Sequence, residues 1–265
     1  MLEPSITRRT SAVADTFDDR LVREFGGGAV TLAPIHALGW TRDRAESVVL
    51  TVSVDAGTHL ALDNIYGGIC YVWDARGFTT RAAYDRLQRP VSKHIQGDDG
   101  RGLVLDQLVE FTVYGEHLPD AAKWNLNGKV YKHYGEEGLN TYPTYSIYGG
   151  PSRTEQRVRP EYKTEVAWDK ASMQAIEQEP AWEMTYVYNA HGSVTENGLP
   201  DGSVLQVGYD EAGIQRTLSR KPKGGKTEPH ILDIQYDANG ARTLVRFANG
   251  VHTRYSYEDT TLHLL

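Results

Sequence analysis

Tyr188-Asn189-Ala190-His191-Gly192, Tyr209-Asp210-Glu211-Ala212-Gly213 and Tyr236-Asp237-Ala238-Asn239-Gly240 are three copies of one signature: an aromatic, then Asp or Asn, then Gly three residues later. A worn copy closes the series at Tyr257-Glu258. The tyrosines are 21, 27 and 21 residues apart (188 to 209, 209 to 236, 236 to 257), and the extra six in the middle interval are the polar insertion Lys221-Pro222-Lys223-Gly224-Gly225-Lys226. A constant period of this kind marks a repeat architecture.

The signature has the chemistry of a hairpin turn. Asp or Asn at the first position accepts a hydrogen bond from backbone two residues on, and Gly at the fourth supplies a positive φ that a Cβ would penalise. The expected loop is the three-residue hairpin with a bulge. Around it the residues alternate, with Leu232, Ile234 and Tyr236 on one face and Asp233 and Gln235 on the other. Thr243, Val245 and Phe247 then oppose Arg242, Leu244 and Arg246, and Val251, Thr253, Tyr255 and Tyr257 oppose His252, Arg254 and Ser256. Asn249-Gly250 between them reads as a short two-residue hairpin turn, so two kinds of turn alternate along one antiparallel meander.

Upstream, the same grammar appears as Trp73-Asp74 with Gly77 and as Tyr84-Asp85, where Gln88 stands in place of the glycine. A second pair is Trp124-Asn125 with Gly128 and Tyr134-Gly135 with Gly138. Each pair predicts two consecutive hairpin turns. Between Tyr142 and Trp182 the grammar fails; Tyr145 to Gly150 and Trp168-Asp169 are candidate eroded copies, and Lys170 to Glu179 has helix-forming composition. Near the start, Val13, Phe17, Leu21, Val22 and Phe25 recur at helical spacing, and Gly26-Gly27-Gly28 stops that helix. The expected fold is therefore all-β, an antiparallel strip of hairpins with short helices over 13–25 and 170–179. The expected organisation is a divergent segment over 1–50 followed by a repeat region over 51–265.

Composition fits this fold and excludes several functions. The 265 residues include 16 Tyr and 26 Gly, which suit strands and tight turns. A formal net charge of −7 argues against a nucleic-acid surface, and no run approaches the ~20 apolar residues of a membrane span. A single cysteine, Cys70, excludes an internal disulfide framework and a cysteine zinc site. The nine histidines never fall two, three or four residues apart, so no metal motif exists, and no cofactor is implied. The first twenty residues lack an apolar core for a signal peptide.

The ordered series Trp73-Asp74, Tyr84-Asp85 with Arg89-Pro90, Val113-Tyr114-Gly115-Glu116, Asn125 to Tyr131, Leu199-Pro200-Asp201-Gly202-Ser203 and Asn249 to Tyr255 resembles Rhs/YD-repeat proteins. Within that family the likeness is to the C-type component of insecticidal toxin complexes, over about residues 54 to 265. In that family such repeats wind into a β-shell around a toxic C-terminal segment. The resemblance implies a non-enzymatic segment of such a shell, without the self-cleaving core and the toxin domain. Its implied partners are further YD-repeat segments or another toxin-complex subunit, and its implied place is extracellular within that complex, or cytoplasmic if made alone.

Two other readings come from other classes. Tyr and Trp on strand faces suit a glycan- or protein-binding module, which turns on whether Tyr188, Tyr209, Tyr236 and Trp73 are buried or line a groove. A degenerate hydrolase would need two facing carboxylates, and the sequence places no such pair. The candidate site is therefore the set of repeat turns, and no catalytic residue is assigned.

Overall fold

A computed structural model describes residues 40–42, 48–53, 55–258 and 260–265. The helix expected over 13–25 lies outside the described residues. The chain divides between Glu110 and Phe111 into two compact units.

Up to Glu110 the strands are β1 (Trp40–Arg42), β2 (Val48–Ser53), β3 (Gly57–Asp63), β4 (Ile69–Trp73), β5 (Phe78–Tyr84), β6 (Pro90–Asp98) and the first part of β7 (Val104–Tyr114). From β1 to β6 each strand pairs antiparallel with the next. The core of this unit is a cross-strand pair, Leu60 opposite Trp73, both 1 % exposed, with Leu50, Leu62 and Tyr71 packed on it. Tyr71 stacks on the indole at 5.4 Å. Lys93 reaches Glu110 across β6 and β7 at 2.8 Å.

The second unit continues the meander. After β7 come a 3₁₀ turn at Gly115–His117, β8 (Val130–Gly135), β9 (Gly138–Tyr145) and β10 (Pro151–Val158). Helix α1 (Lys170–Ile176) precedes β11 (Trp182–Tyr188), β12 (Val194–Gly198), β13 (Val204–Tyr209), β14 (Gln215–Lys221), β15 (Glu228–Tyr236), β16 (Arg242–Phe247) and β17 (His252–Arg254). Every neighbouring pair from β7 to β17 is antiparallel. Short turns join most neighbours and leave no room for crossover helices, and the longer β10–β11 connection that carries α1 also returns its strand antiparallel.

Helix α1 is shorter than the 170–179 expected. A capping box starts it, with Asp169 Oδ1 accepting from Ser172 N at 2.7 Å and Ser172 Oγ accepting from Asp169 N at 2.8 Å. Ile176 of the helix and Trp168 just before it are buried, and Tyr134, buried as well, meets Trp168 edge-on at 5.4 Å.

Two expectations on the face pattern are corrected. A bulge between Ile231 and Asp233 breaks the alternation of β15, so Leu232 is 51 % exposed while Ile234 and Val245 are buried. Val251 lies in the turn before β17 and is 56 % exposed, outside the inner face assigned to it.

Candidate functional site: the repeat turns and their tyrosines

The turns share one backbone closure. At Asp237 the first residue's N–H donates to the Ala241 carbonyl at 2.9 Å, and the Gly240 N–H donates to the Asp237 carbonyl at 3.1 Å. The Asp237 carboxylate accepts from Asn239 N at 2.9 Å and from Ala241 N at 2.8 Å, and Gly240 has φ +79°. Asp210 with Gly213 and Asn189 with Gly192 repeat this pattern, as do Asp74 with Gly77 and Asp85 with Gln88. One side-chain oxygen thus satisfies two turn amides. Gln88 holds φ +61° without being glycine. Backbone donors from Arg89 and Leu87, together with the Arg89 guanidinium, hold the Asp85 carboxyl below its ordinary value.

The tyrosine before each turn has a second task. Tyr209 Oη donates to the Val194 carbonyl at 2.7 Å, Tyr236 to Gln215 at 2.7 Å and Tyr257 to Arg242 at 3.0 Å. Tyr188 donates to Pro151 at 2.8 Å and Tyr145 to Val130 at 2.6 Å. Four of these acceptors are the strand partners of the preceding tyrosine: Pro151 pairs with Tyr145, Val194 with Tyr188, Gln215 with Tyr209 and Arg242 with Tyr236. A ladder of hydroxyl-to-carbonyl bonds therefore runs along one end of the strands from Tyr145 to Tyr257. Tyr84, donating to Ile69 at 2.9 Å, is a separate rung in the first unit. Burial raises the Tyr145 hydroxyl to about 12 and raises Tyr188 and Tyr84 as well, so all three stay protonated donors at neutral pH.

This ladder explains the irregular spacing. The insertion at 221–226 and the long connection that carries α1 both fall at the opposite end of the strands from the tyrosines. Neither changes the distance a hydroxyl must span. Tyr188, Tyr209 and Tyr236 are half-buried with anchored hydroxyls, whereas Trp73 is a core residue.

Other copies depart from the pattern. Asn249-Gly250 is not a two-residue turn: Phe247 N donates to the Val251 carbonyl and Gly250 N to the Phe247 carbonyl, the same closure with the amide side chain moved to the third position. Asn249 Oδ1 accepts from Val251 N at 3.1 Å, and Asp201 treats Ser203 likewise at 2.8 Å. Asn125 sits in the β7–β8 connection at φ +55°, where its Nδ2 donates to the Tyr145 carbonyl and Leu126 beside it is buried. The turn there is Leu126 to Lys129, with Gly128 at φ +72°. Tyr134 precedes a two-residue loop, with Gly135 paired directly to Gly138.

Two further turns share this closure and a third shares most of it, none of them carrying the full sequence signature. Asn64 with Gly67 has the full closure, whereas Asp99 with Gly102 keeps the bond from Asp99 N to the Leu103 carbonyl and the two side-chain bonds; Asp63 and Asp98 precede them in place of an aromatic. Ser146 with Gly149 has a serine for the acid. Asp or Asn three residues before Gly, without the aromatic, was the signal that would have found the first two.

Glu177, at the C-terminal end of α1, accepts from Lys132 Nζ and from Tyr134 Oη, each at 2.6 Å. The Lys132 and Tyr134 donors hold its carboxyl below the ordinary range, while burial and the Glu177 contact push Tyr134 strongly upward. The arrangement is that of a tie between helix and sheet. Among the described residues no three His, Cys, Asp or Glu side chains converge to hold a metal, and no helix is long and apolar enough to cross a membrane.

Fold and turn chemistry together define an antiparallel β-sheet of repeated hairpin turns, similar in fold to the Rhs-type shell of solved toxin-complex structures. The chain is homologous to toxin subunits of Yersinia entomophaga. It is 26 % identical to toxin subunit YenC1 over 224 residues, covering 82 % of this chain and 22 % of that protein. To toxin subunit YenC2 it is 24 % identical over 242 residues, covering 83 % of this chain and 24 % of that protein. It thus spans less than a quarter of the length of the curated relatives it matches. Among solved structures it is similar to TcdB2-TccC3-Cdc42, with a TM-score of 0.75 and 21 % identity over 88 % of this chain and 11 % of that one. No protein-family profile matches the chain.

Proposed function

We propose that the chain is a structural, non-enzymatic segment of an Rhs-type toxin-complex shell, working outside the cell and helping to enclose or present a toxin carried by the assembly. Residues 51–265 are its repeat region and 1–50 a divergent segment. The observation that carries this reading is the tyrosine ladder. It fixes hairpin after hairpin in constant register and engages its polar groups in doing so, the ladder hydroxyls on backbone carbonyls and the signature carboxylates on turn amides. Homology to subunits of toxin complexes supports the setting, and the partners are further YD-repeat segments or another subunit of the complex.

Replacing the matching stretch of a YenC1-type subunit with residues 51–265 tests the proposal. The hybrid is expected to assemble its complex and to shield the toxin from added protease. A hybrid that folds but leaves the toxin open to protease overturns the enclosing role.

A further inference from the structure

The turns Asn64-Ile65-Tyr66-Gly67-Gly68 and Ser146-Ile147-Tyr148-Gly149-Gly150 differ at one position in five. The fold accounts for both glycine pairs. Gly67 and Gly149 take the positive φ, +80° and +88°. A Cβ on Gly68 would lie 2.9 Å from the Tyr84 hydroxyl, and one on Gly150 2.5 Å from the Tyr188 hydroxyl, so each second glycine makes room for a ladder tyrosine.

The ring of Tyr148 meets that of Tyr188 at 6.5 Å, but nothing in the fold accounts for Ile65, Tyr66 or Ile147. Ile65 and Ile147 are 92 % and 82 % exposed, and Tyr66 and Tyr148 are 70 % and 47 % exposed. At the same two positions other turns carry Ala190-His191, Glu211-Ala212 and Ala238-Asn239, which are small or polar. A β-branched aliphatic side chain gains nothing from turn chemistry and stands in water.

The second tip has further apolar surface beside it. Tyr145 N donates to the Trp124 carbonyl at 3.0 Å, which brings the half-exposed Trp124 next to the turn. Lys123 Nζ lies 4.9 Å from the centroid of the Trp124 ring, and Lys129 Nζ lies 5.8 Å from that of Tyr145. Neither ammonium has a carboxylate partner among the described residues.

We propose that Ile147, Tyr148 and Trp124, flanked by Lys123 and Lys129, form a protein-docking tip whose partner presents an apolar cleft edged by carboxylates. Exposed aliphatic and aromatic anchors call for the cleft, and the two uncompensated cations call for the acidic edge. A second copy of this chain fits worse. Its open apolar grooves over 205–254 carry Arg220, Arg246 and Arg254, the same sign as the lysines. The inference stands independently of the toxin-shell reading.

The probe is a displayed library of small folded peptides with randomised concave surfaces, selected on the intact chain, followed by titration of the enriched peptides. Sequences mixing large apolar residues with Asp and Glu are expected. Their affinity should weaken about tenfold or more with Ile147→Ser, in keeping with loss of a central anchor. It should also fall with the Lys123→Glu/Lys129→Glu double variant and with rising salt, and stay unchanged in Glu211→Ser, a turn tip of the ordinary kind. The charge-reversed variant leaves the apolar anchors in place and serves if Ile147→Ser perturbs folding. Enrichment of basic or uncharged peptides overturns the proposal, as does binding that survives both variants. Ile147-dependent binding to phosphatidylcholine/phosphatidylserine vesicles, or Ile147-dependent self-association, in place of peptide binding overturns it too.

Discussion

Tyr236 donates its hydroxyl at 2.7 Å to the carbonyl of Gln215, the residue that pairs across the sheet with Tyr209, the preceding signature tyrosine. One repeat therefore reads the position of the one before it. A phenylalanine keeps the ring and loses the rung, so Tyr236→Phe should lower stability by about 1 kcal/mol, the net value of a typical hydrogen bond. Tyr255→Phe is the control, because that hydroxyl has no hydrogen bond among the described residues. Urea midpoints of the two variants check the difference, and equal midpoints would mean that the rung contributes nothing.

Ser146 opens a turn of the common closure, yet its Oγ is buried without a hydrogen-bond partner. At the twin turn Asn64 Oδ1 accepts from both Tyr66 N and Gly68 N at 2.9 Å. Ser146→Asn should supply the missing acceptor and raise stability by roughly 0.5–1.5 kcal/mol, the usual net value of one such bond. Thermal unfolding of the variant is the measurement, and a fall in midpoint would show that the longer side chain is not accommodated.

What the sequence made legible was local. Asp or Asn with Gly at the fourth position fixes a hairpin by its own hydrogen bonds, so the antiparallel strip and turns such as Tyr209 to Gly213 could be read directly. The tyrosine's purpose was not legible, because its acceptor lies two strands away and the partner is a backbone carbonyl that any residue supplies. Asn64 and Asp99 escaped because the aromatic was treated as part of the turn, when it belongs to the ladder. The tip residues Ile147 and Tyr148 passed as an eroded copy. Their exposure is set by the turn's geometry, which spacing alone does not report.

Gln88 is the signature position where strain is stored. A non-glycine residue at φ +61° bears a steric cost, and its side chain holds one exposed bond there, from Asn64 Nδ2 to Gln88 Oε1 at 3.2 Å. Gln88→Gly should therefore raise stability by up to ~1 kcal/mol. The converse applies at Gly240 and Gly224, which sit at φ +79° and +70° with open space around each Cβ position. Matching backbone angles call for similar losses in Gly240→Val and Gly224→Val, which paired denaturation curves will show.

The tie between Glu177, Lys132 and Tyr134 gives the second unit a pH dependence at both ends of the scale. Lys132 and Tyr134 lower the folded carboxyl of Glu177 below its unfolded value, so its contribution is complete above the ordinary glutamate pKa of about 4.3. It is lost as pH falls through the lower folded value. Tyr134 behaves oppositely, because burial and the Glu177 contact raise it. Its contribution is complete below the ordinary tyrosine value of about 10 and is lost as pH rises through the raised one. In Glu177→Gln the acid-side loss should shrink, so that its stability gap to the parent is widest near neutrality and closes at low pH. Unfolding midpoints of both proteins between pH 2 and 8, roughly the span over which a carboxylate titrates, provide the comparison. A gap that stays constant across that range would show that the carboxylate's charge has no part in holding α1 to the sheet.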